Sequence, residues 1–189
     1  CTTSDKQKKQ KIGTVKKQDI SEKAANLVYL SIGSNLGNRI QNIENTKSLI
    51  LSNNIKILSI SSYYETPSWP NSKFPKFLNI VLKINTILEI LDLFLLIKNI
   101  EKIMGRKINK KNYPRICDID IIDYNNKIYS QLFNNHEIIC PHPRMKDRNF
   151  VLFPLYELNQ EWIHPKTNEN ITELLSKLHI NRIRGIKVI

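Results

Sequence analysis

Glycine is scarce, with five residues in a chain of 189. Neither GxxxxGK(S/T) nor GxGxxG occurs, so no glycine-rich backbone loop is available to cradle a phosphate. A phosphate binder built from this chain must rely on side-chain cations and metal. The three cysteines, Cys1, Cys117 and Cys140, form no CxxC pair and are odd in number. That argues against a disulfide scaffold or a zinc site and suits a reducing compartment. The four histidines show no HExxH spacing. The most apolar stretch, Ile87 to Met104, is interrupted by Glu89, Asp92, Lys98, Glu101 and Lys102, whereas a spanning helix needs ~20 mostly apolar residues. There is no secretory h-region, and a cytoplasmic protein is expected.

Positive charge is plentiful. The formal net charge is +12, and residues 1–26 contribute +4 of it, with seven Lys against Asp5, Asp19 and Glu22. The body keeps +8, which suits an anionic partner such as a polyphosphate or a nucleic acid, or simply a solvated basic face. Residues 1–26 are polar and aperiodic and are expected to be a disordered basic extension. The domain is expected over 27–180, with a tail at 181–189.

Leu27 to Gly33 reads as a buried strand ending in the turn Gly33-Ser34-Asn35. Asn38 is placed to cap a helix to about Ser52, with Ile40, Ile43, Lys47 and Ile50 at helical spacing. Ile55 to Glu65 is a β-branched strand, and the prolines at 67, 70 and 75 make Thr66 to Lys76 a loop. Phe77 to Asn85 alternates cleanly, with Leu78, Ile80, Leu82 and Ile84 on one face. Thr86 is expected to cap a helix to Met104, stopped by Gly105. Ile116 to Tyr124 is a strand, and Asn125-Asn126 suggests a hairpin into Lys127 to Tyr129. Short helices are expected over Asn149 to Leu158 and Ile171 to Leu178. The order β-α-β-β-α-β makes this an α+β chain of ferredoxin-like arrangement, with C-terminal strands and helices added as a third layer.

Asp118 and Asp120 stand two apart on a strand, so both carboxylates leave one face. Paired carboxylates are costly unless a cation lies between them, and Mg²⁺, which shares its oxygen ligands with substrate phosphates, fits. An edge strand with two solubilising acids would look the same. Arg115 is three residues upstream and within reach of a phosphate oxygen. Cys117, Ile119 and Ile121 point to the core. Pro141 to Arg148 packs His142, Arg144, Lys146 and Arg148 between prolines, a rigid basic loop suited to polyphosphate. Arg106, Lys107, Lys110 and Lys111 form another cluster, in a loop expected to be mobile. Phe77 and Asn79 share a face, where one can stack on a flat ring and the other bond its edge. A core Phe and a strand-end Asn would read alike.

Together these segments resemble the 6-hydroxymethyl-7,8-dihydropterin pyrophosphokinase family. The resemblance runs, in the family's order, through Ile32-Gly33-Ser34-Asn35, Tyr64-Glu65-Thr66-Pro67, Phe77-Leu78-Asn79, Arg115-x-x-Asp118-x-Asp120 and Pro141-His142 to Arg148-x-Phe150. It implies ATP as co-substrate, two Mg²⁺ ions on Asp118 and Asp120, and catalytic help from Arg106 and Arg115. It places Glu101, Lys111, Ile121, His142 and Arg148 at the nucleotide, and Thr66, Pro67, Phe77, Asn79 and Phe150 at the pterin. The chain departs from the family pattern at Asn112 and Tyr113, next to Pro114. A monomer acting on small molecules, with no membrane or nucleic-acid partner, is the expectation. The competing class is a ferredoxin-like RNA-binding module, which needs an aromatic RNP1 pattern that Phe77 to Asn85 does not supply.

Overall fold

The computed structural model describes residues 24–106, 113–134 and 136–189. The expectations for residues 1–23, for Lys111 and Asn112, and for the loop after Arg106 lie outside the described residues.

Strand β1 (Asn26–Ser34) is buried along almost its whole length because Val28, Leu30 and Ile32 enter one core and Tyr29 the other. It leads into α1 (Arg39–Ser52), whose cap Asn38 accepts the Gln41 N–H, as its position suggested. The buried residues of α1 are Ile43, Thr46 and Ile50. Ile40, expected on the same stripe, is exposed, and Lys47 pairs instead with Glu44. The expected single strand over Ile55 to Glu65 is two: β2 (Lys56–Ile60) and β3 (Tyr64–Thr66). The break has a local cause. Ser61 takes over the ladder, its N–H donating to the Val81 carbonyl and its hydroxyl accepting the Val81 N–H. Ser62 turns its N–H and hydroxyl onto Glu157.

Strand β4 (Phe77–Thr86) is followed by α2 (Ile90–Ile103). Thr86 is not the cap: it ends the strand and accepts the Leu88 N–H, while Glu89 takes the cap position. Gly105 stops the helix at φ +86°, a conformation that favours glycine. Strand β5 (Asp118–Tyr124) ends at Asn125 and Asn126, both at positive φ. The turn is as expected but its pairing is not. Strand β6 (Tyr129–Phe133) pairs with β7 (His136–Cys140) in a separate ribbon. A 3₁₀ turn (Met145–Asp147), α3 (Asn149–Leu158), α4 (Ile171–Ser176), α5 (Ile180–Arg184) and β8 (Lys187–Val188) complete the chain. Residues 181–189, read as a tail, thus hold most of α5 and all of β8.

The antiparallel sheet runs β5-β1-β4, with β2 and β3 both on the far edge of β4 and β8 on β3. This is the ferredoxin-like order with its second strand divided. Val28, Leu30, Ile32, Leu78, Ile80, Leu82 and Ile84 meet Ile43 and Ile50 of α1 and Leu93, Ile97 and Ile100 of α2. Each such buried side chain contributes roughly 1.5–3 kcal/mol. The opposite face carries a second core, where Tyr29, Val81 and Ile122 pack against Val151, Leu152 and Leu155 of α3 and Ile171 and Leu174 of α4. The sheet is therefore covered on both sides, which removes the open face that an RNA-binding module of this topology presents. A bulge between Tyr29 and Leu30 gives β5 one extra residue, Ile122. Ile122 and Asp123 both turn toward α3 and α4, and Asp123 accepts the Trp162 indole N–H at 2.9 Å.

Candidate active site

The site lies at the start of β5, beside the N-terminus of α3. Pairing sets Asp118 opposite Gly33 and Gly33 opposite Asn79, and in the next register Asp120 faces Ser31. Ile119, between the two acids, is buried in the first core. Strand parity thus puts both carboxylates on one face, each between a quarter and a third exposed. Gly33 leaves the floor between them and Asn79 bare: a Cβ there would lie 2.9 Å from Asn79 Oδ1 and 3.4 Å from Phe77 Cδ1.

Three arginines and a histidine converge on the acids. Arg106 lies 2.8 Å and Arg115 3.1 Å from Asp118 Oδ1. Arg148 lies 2.7 Å from Asp120 Oδ2, and His142 Nε2 is 3.7 Å from it. Burial pushes the Asp120 carboxyl up, but the fields of His142 and Arg148 together outweigh it and hold the group below its ordinary value. Burial moves His142 the other way, below the usual imidazole range, against the pull of Asp120. Glu101 is 3 % exposed and fully engaged: it accepts the Ile119 N–H at 2.8 Å, Lys98 at 2.9 Å and the Arg106 guanidinium. It therefore holds Arg106 and β5 in place rather than facing open space.

Two rings flank the cations. Arg115 sits over Phe77 at 5.9 Å and Arg148 over Phe150 at 5.5 Å. Asn79 donates to the Tyr64 carbonyl and to Thr66 Oγ1, joining β4 to β3, and Pro67 follows, exposed. Ile121 and His142 instead line a cavity of about 270 Å³ at the β5 edge with Phe94, Ile97, Lys98 and Asp120. Of the expected residues, only Lys111 falls outside the described part of the chain.

Sequence reasoning gave Asn35 too little weight. Buried, it accepts the Arg115 N–H at 2.7 Å and donates to Ser68 Oγ and the Pro75 carbonyl, both at 3.1 Å. One side chain thus anchors the residue beside Asp118 and both ends of the proline loop. The Gly33-Ser34-Asn35 turn was its only local signal. Lys98, at the cavity and on Glu101, carried none. Tyr113 meets Phe74 of the proline loop with ring centroids 5.5 Å apart.

The donor set fits magnesium better than a metal held wholly by protein. Among the described residues no group of three or more His, Cys, Asp or Glu gathers into a closed metal site. Two carboxylates beside arginines instead leave coordination positions for phosphate oxygen and water.

Fold and site define a ferredoxin-like α+β domain with an arginine-rich, paired-carboxylate pocket at one end of its sheet. A family model, 7,8-dihydro-6-hydroxymethylpterin-pyrophosphokinase (HPPK), matches residues 29–160, and the chain belongs to that family. It is 38 % identical to the Pneumocystis carinii folic acid synthesis protein fol1 over 84 % of this chain and 21 % of that protein. It is also 38 % identical to the Aquifex aeolicus 2-amino-4-hydroxy-6-hydroxymethyldihydropteridine pyrophosphokinase, over 73 % of this chain and 83 % of that one. The chain spans about a fifth of the length of the fol1-type relatives. Among solved structures, Plasmodium falciparum HPPK-DHPS with pterin and p-hydroxybenzoate superposes with a TM-score of 0.72 at 17 % identity, over 90 % of this chain and 48 % of that one. That likeness concerns the fold. No helix among the described residues is long and apolar enough to cross a membrane.

Proposed function

We propose that this domain transfers the terminal diphosphoryl group of ATP to the hydroxymethyl oxygen of 6-hydroxymethyl-7,8-dihydropterin, giving the pterin diphosphate and AMP in folate synthesis. The observation that carries the reading is the convergence of Asp118 and Asp120 on one sheet face with Arg106, Arg115 and Arg148, beside the bare floor at Gly33.

The alcohol attacks the β-phosphorus as the bond from that phosphorus to the α-bridging oxygen breaks. AMP leaves with that electron pair, and the alcohol proton passes to solvent. Two Mg²⁺ ions on Asp118 and Asp120 would supply charge neutralisation of the phosphate chain and acidify the attacking hydroxyl. Arg106, Arg115 and Arg148, each now paired with an aspartate, take up phosphate oxygens by the same guanidinium donors. Phe77 and Phe150 hold the flat ring, and Asn79 and Thr66 read its edge. Ile121 and His142 line the cavity assigned to the nucleotide. Lys111 is assigned to the nucleotide by likeness to the family alone. Positioning and fixed charge dominate such transfers, so no side chain need act as general base.

The reading carries with it a monomeric, cytoplasmic unit acting on two small molecules without nucleic acid. The free, buried thiols Cys117 and Cys140 suit a reducing setting. The test is a product assay with the pterin, ATP and Mg²⁺: AMP and pterin diphosphate form in equal amounts. Asp118→Ala and Asp120→Ala each abolish AMP formation while the circular dichroism spectrum is kept. Near-normal turnover in either variant overturns the proposal.

A further inference from the structure

The two walls of the pterin pocket belong to distant parts of the chain. One is β3 with Thr66 and Pro67; the other is the 145–150 segment that carries Arg148 and Phe150. Residues 180–189 touch both. They lie beyond the part of the chain that the family model matches.

On the first wall, β8 pairs with β3, Val188 opposite Tyr64 and Lys187 opposite Glu65, and the Ile189 N–H donates to the Tyr63 carbonyl at 3.0 Å. Gly185 lies against Pro67: a Cβ there would stand 3.7 Å from Pro67 Cδ. On the second wall, Asn149 is 6 % exposed and donates to the Arg182 carbonyl at 2.6 Å. The Arg182 guanidinium in turn donates to the Asp147 carbonyl at 2.9 Å. Ile183 packs on the second core, beside α3. A short, otherwise exposed segment is thus bonded at one end to the residues just before Thr66 and at the other to those flanking Arg148 and Phe150.

We propose that residues 180–189 act as a strap that sets the spacing between these walls, with Arg182 and Ile189 as positioning residues for the pterin. The proposal rests on the function assigned above. The physical reason is that β3 is three residues long and otherwise reaches α3 through the Glu157 carboxylate, which accepts from Tyr64 Oη and from Ser62. So short an edge strand moves easily unless it is paired on its outer side. Misplacement of a binding wall by a fraction of an ångström weakens ligand binding without unfolding the core.

The experiment measures dissociation constants for the dihydropterin, with a non-hydrolysable ATP analogue and Mg²⁺ present, and for that analogue alone. The proteins are wild type, Arg182→Ala, Arg182→Lys and Ile189→Pro, the last of which removes the donor to Tyr63. Loss of one such bond is expected to weaken pterin binding about fivefold in Arg182→Ala and Ile189→Pro. Arg182→Lys recovers most of the loss, and analogue binding stays within about twofold in Ile189→Pro, whose wall carries no phosphate contact. Amide exchange at Thr66 and Phe150 speeds up in the two damaging variants while that of Ile119 does not, a readout independent of substrate. Unchanged pterin affinity with unchanged exchange overturns the strap, as does an equal loss for both ligands in Ile189→Pro. Wild-type protein that binds no pterin overturns the functional reading and the strap's role in it. The exchange result then says separately whether the segment orders the two walls.

Discussion

Replacing Gly33 with alanine adds one methyl group to the floor of the pocket, where there is no room for it. The new Cβ would lie 2.9 Å from Asn79 Oδ1, where carbon–oxygen contacts normally begin near ~3.3 Å. Something must give by about 0.4 Å. Asn79 is poorly placed to yield, because it is 3 % exposed and its amide donates to the Tyr64 carbonyl at 3.3 Å and to Thr66 Oγ1 at 3.1 Å. Losing one of those bonds costs roughly 1 kcal/mol, and crowding in a packed site adds about 1–3 kcal/mol. Strand backbone suits alanine, which recovers about 0.4–1 kcal/mol through the unfolded chain. The net is a loss of about 1–3 kcal/mol in urea unfolding. Because Asn79 and Phe77 are the proposed pterin contacts, KM for the pterin is expected to rise about tenfold, equivalent to ~1.4 kcal/mol, while KM for ATP changes little. Unchanged stability together with an unchanged pterin KM would refute the claim that this glycine is there to keep the floor empty.

Buried acids give two further expected outcomes. Glu101→Ala strands the Ile119 N–H and removes a partner from both Lys98 and Arg106, so urea unfolding should show a loss of about 3–5 kcal/mol; Glu101→Gln, which keeps an acceptor, should lose clearly less. Burial pushes the Asp123 carboxyl up more than the Trp162 bond lowers it. The folded state thus holds that proton more tightly than the unfolded chain, and its contribution to stability falls as pH rises from the ordinary carboxylate pKa near ~4 through the raised value. Asp123→Asn should therefore gain stability relative to wild type across that window; a pH-independent difference between the two would contradict the assignment.

Much of this architecture is local and was legible. Asn38 announces α1, the alternation of Phe77 to Asn85 gives β4 both its faces, and the two-residue spacing of Asp118 and Asp120 fixes their common side once β5 lies against β1. What escaped is tertiary. Ser61 splits the second strand because its hydroxyl finds Val81, twenty residues away. Asn125 and Asn126 turn the chain as their composition suggests, yet nothing local says that β6 will pair with β7 rather than with β5. Strand β8 has two residues and no periodicity to read. Asn35 and Lys98 matter through partners that only the folded chain supplies. The bulge that turns both Ile122 and Asp123 toward α3 and α4 breaks the alternation that strand reading depends on.

The charge of the site argues that metal and nucleotide bind together. Glu101, Asp118 and Asp120 face Lys98, Arg106, Arg115 and Arg148; with His142 left out of the count, the formal balance is +1. ATP brings about −4, so without metal it would place phosphate oxygens beside two carboxylates and leave the pocket near −3. The two Mg²⁺ ions proposed above would restore about +1, the balance of the ligand-free pocket. ATP affinity should therefore fall at least tenfold when EDTA removes the metal, ~1.4 kcal/mol or more. The double variant Asp118→Asn, Asp120→Asn reverses the logic. Its pocket carries two fewer negative charges and frees Arg115 and Arg148, so metal-free ATP should bind it more tightly than it binds wild type, although AMP formation is lost. Wild-type affinity for ATP that is indifferent to EDTA, or a double variant that binds metal-free ATP no better than wild type, would mean that these carboxylates do not face the phosphate chain.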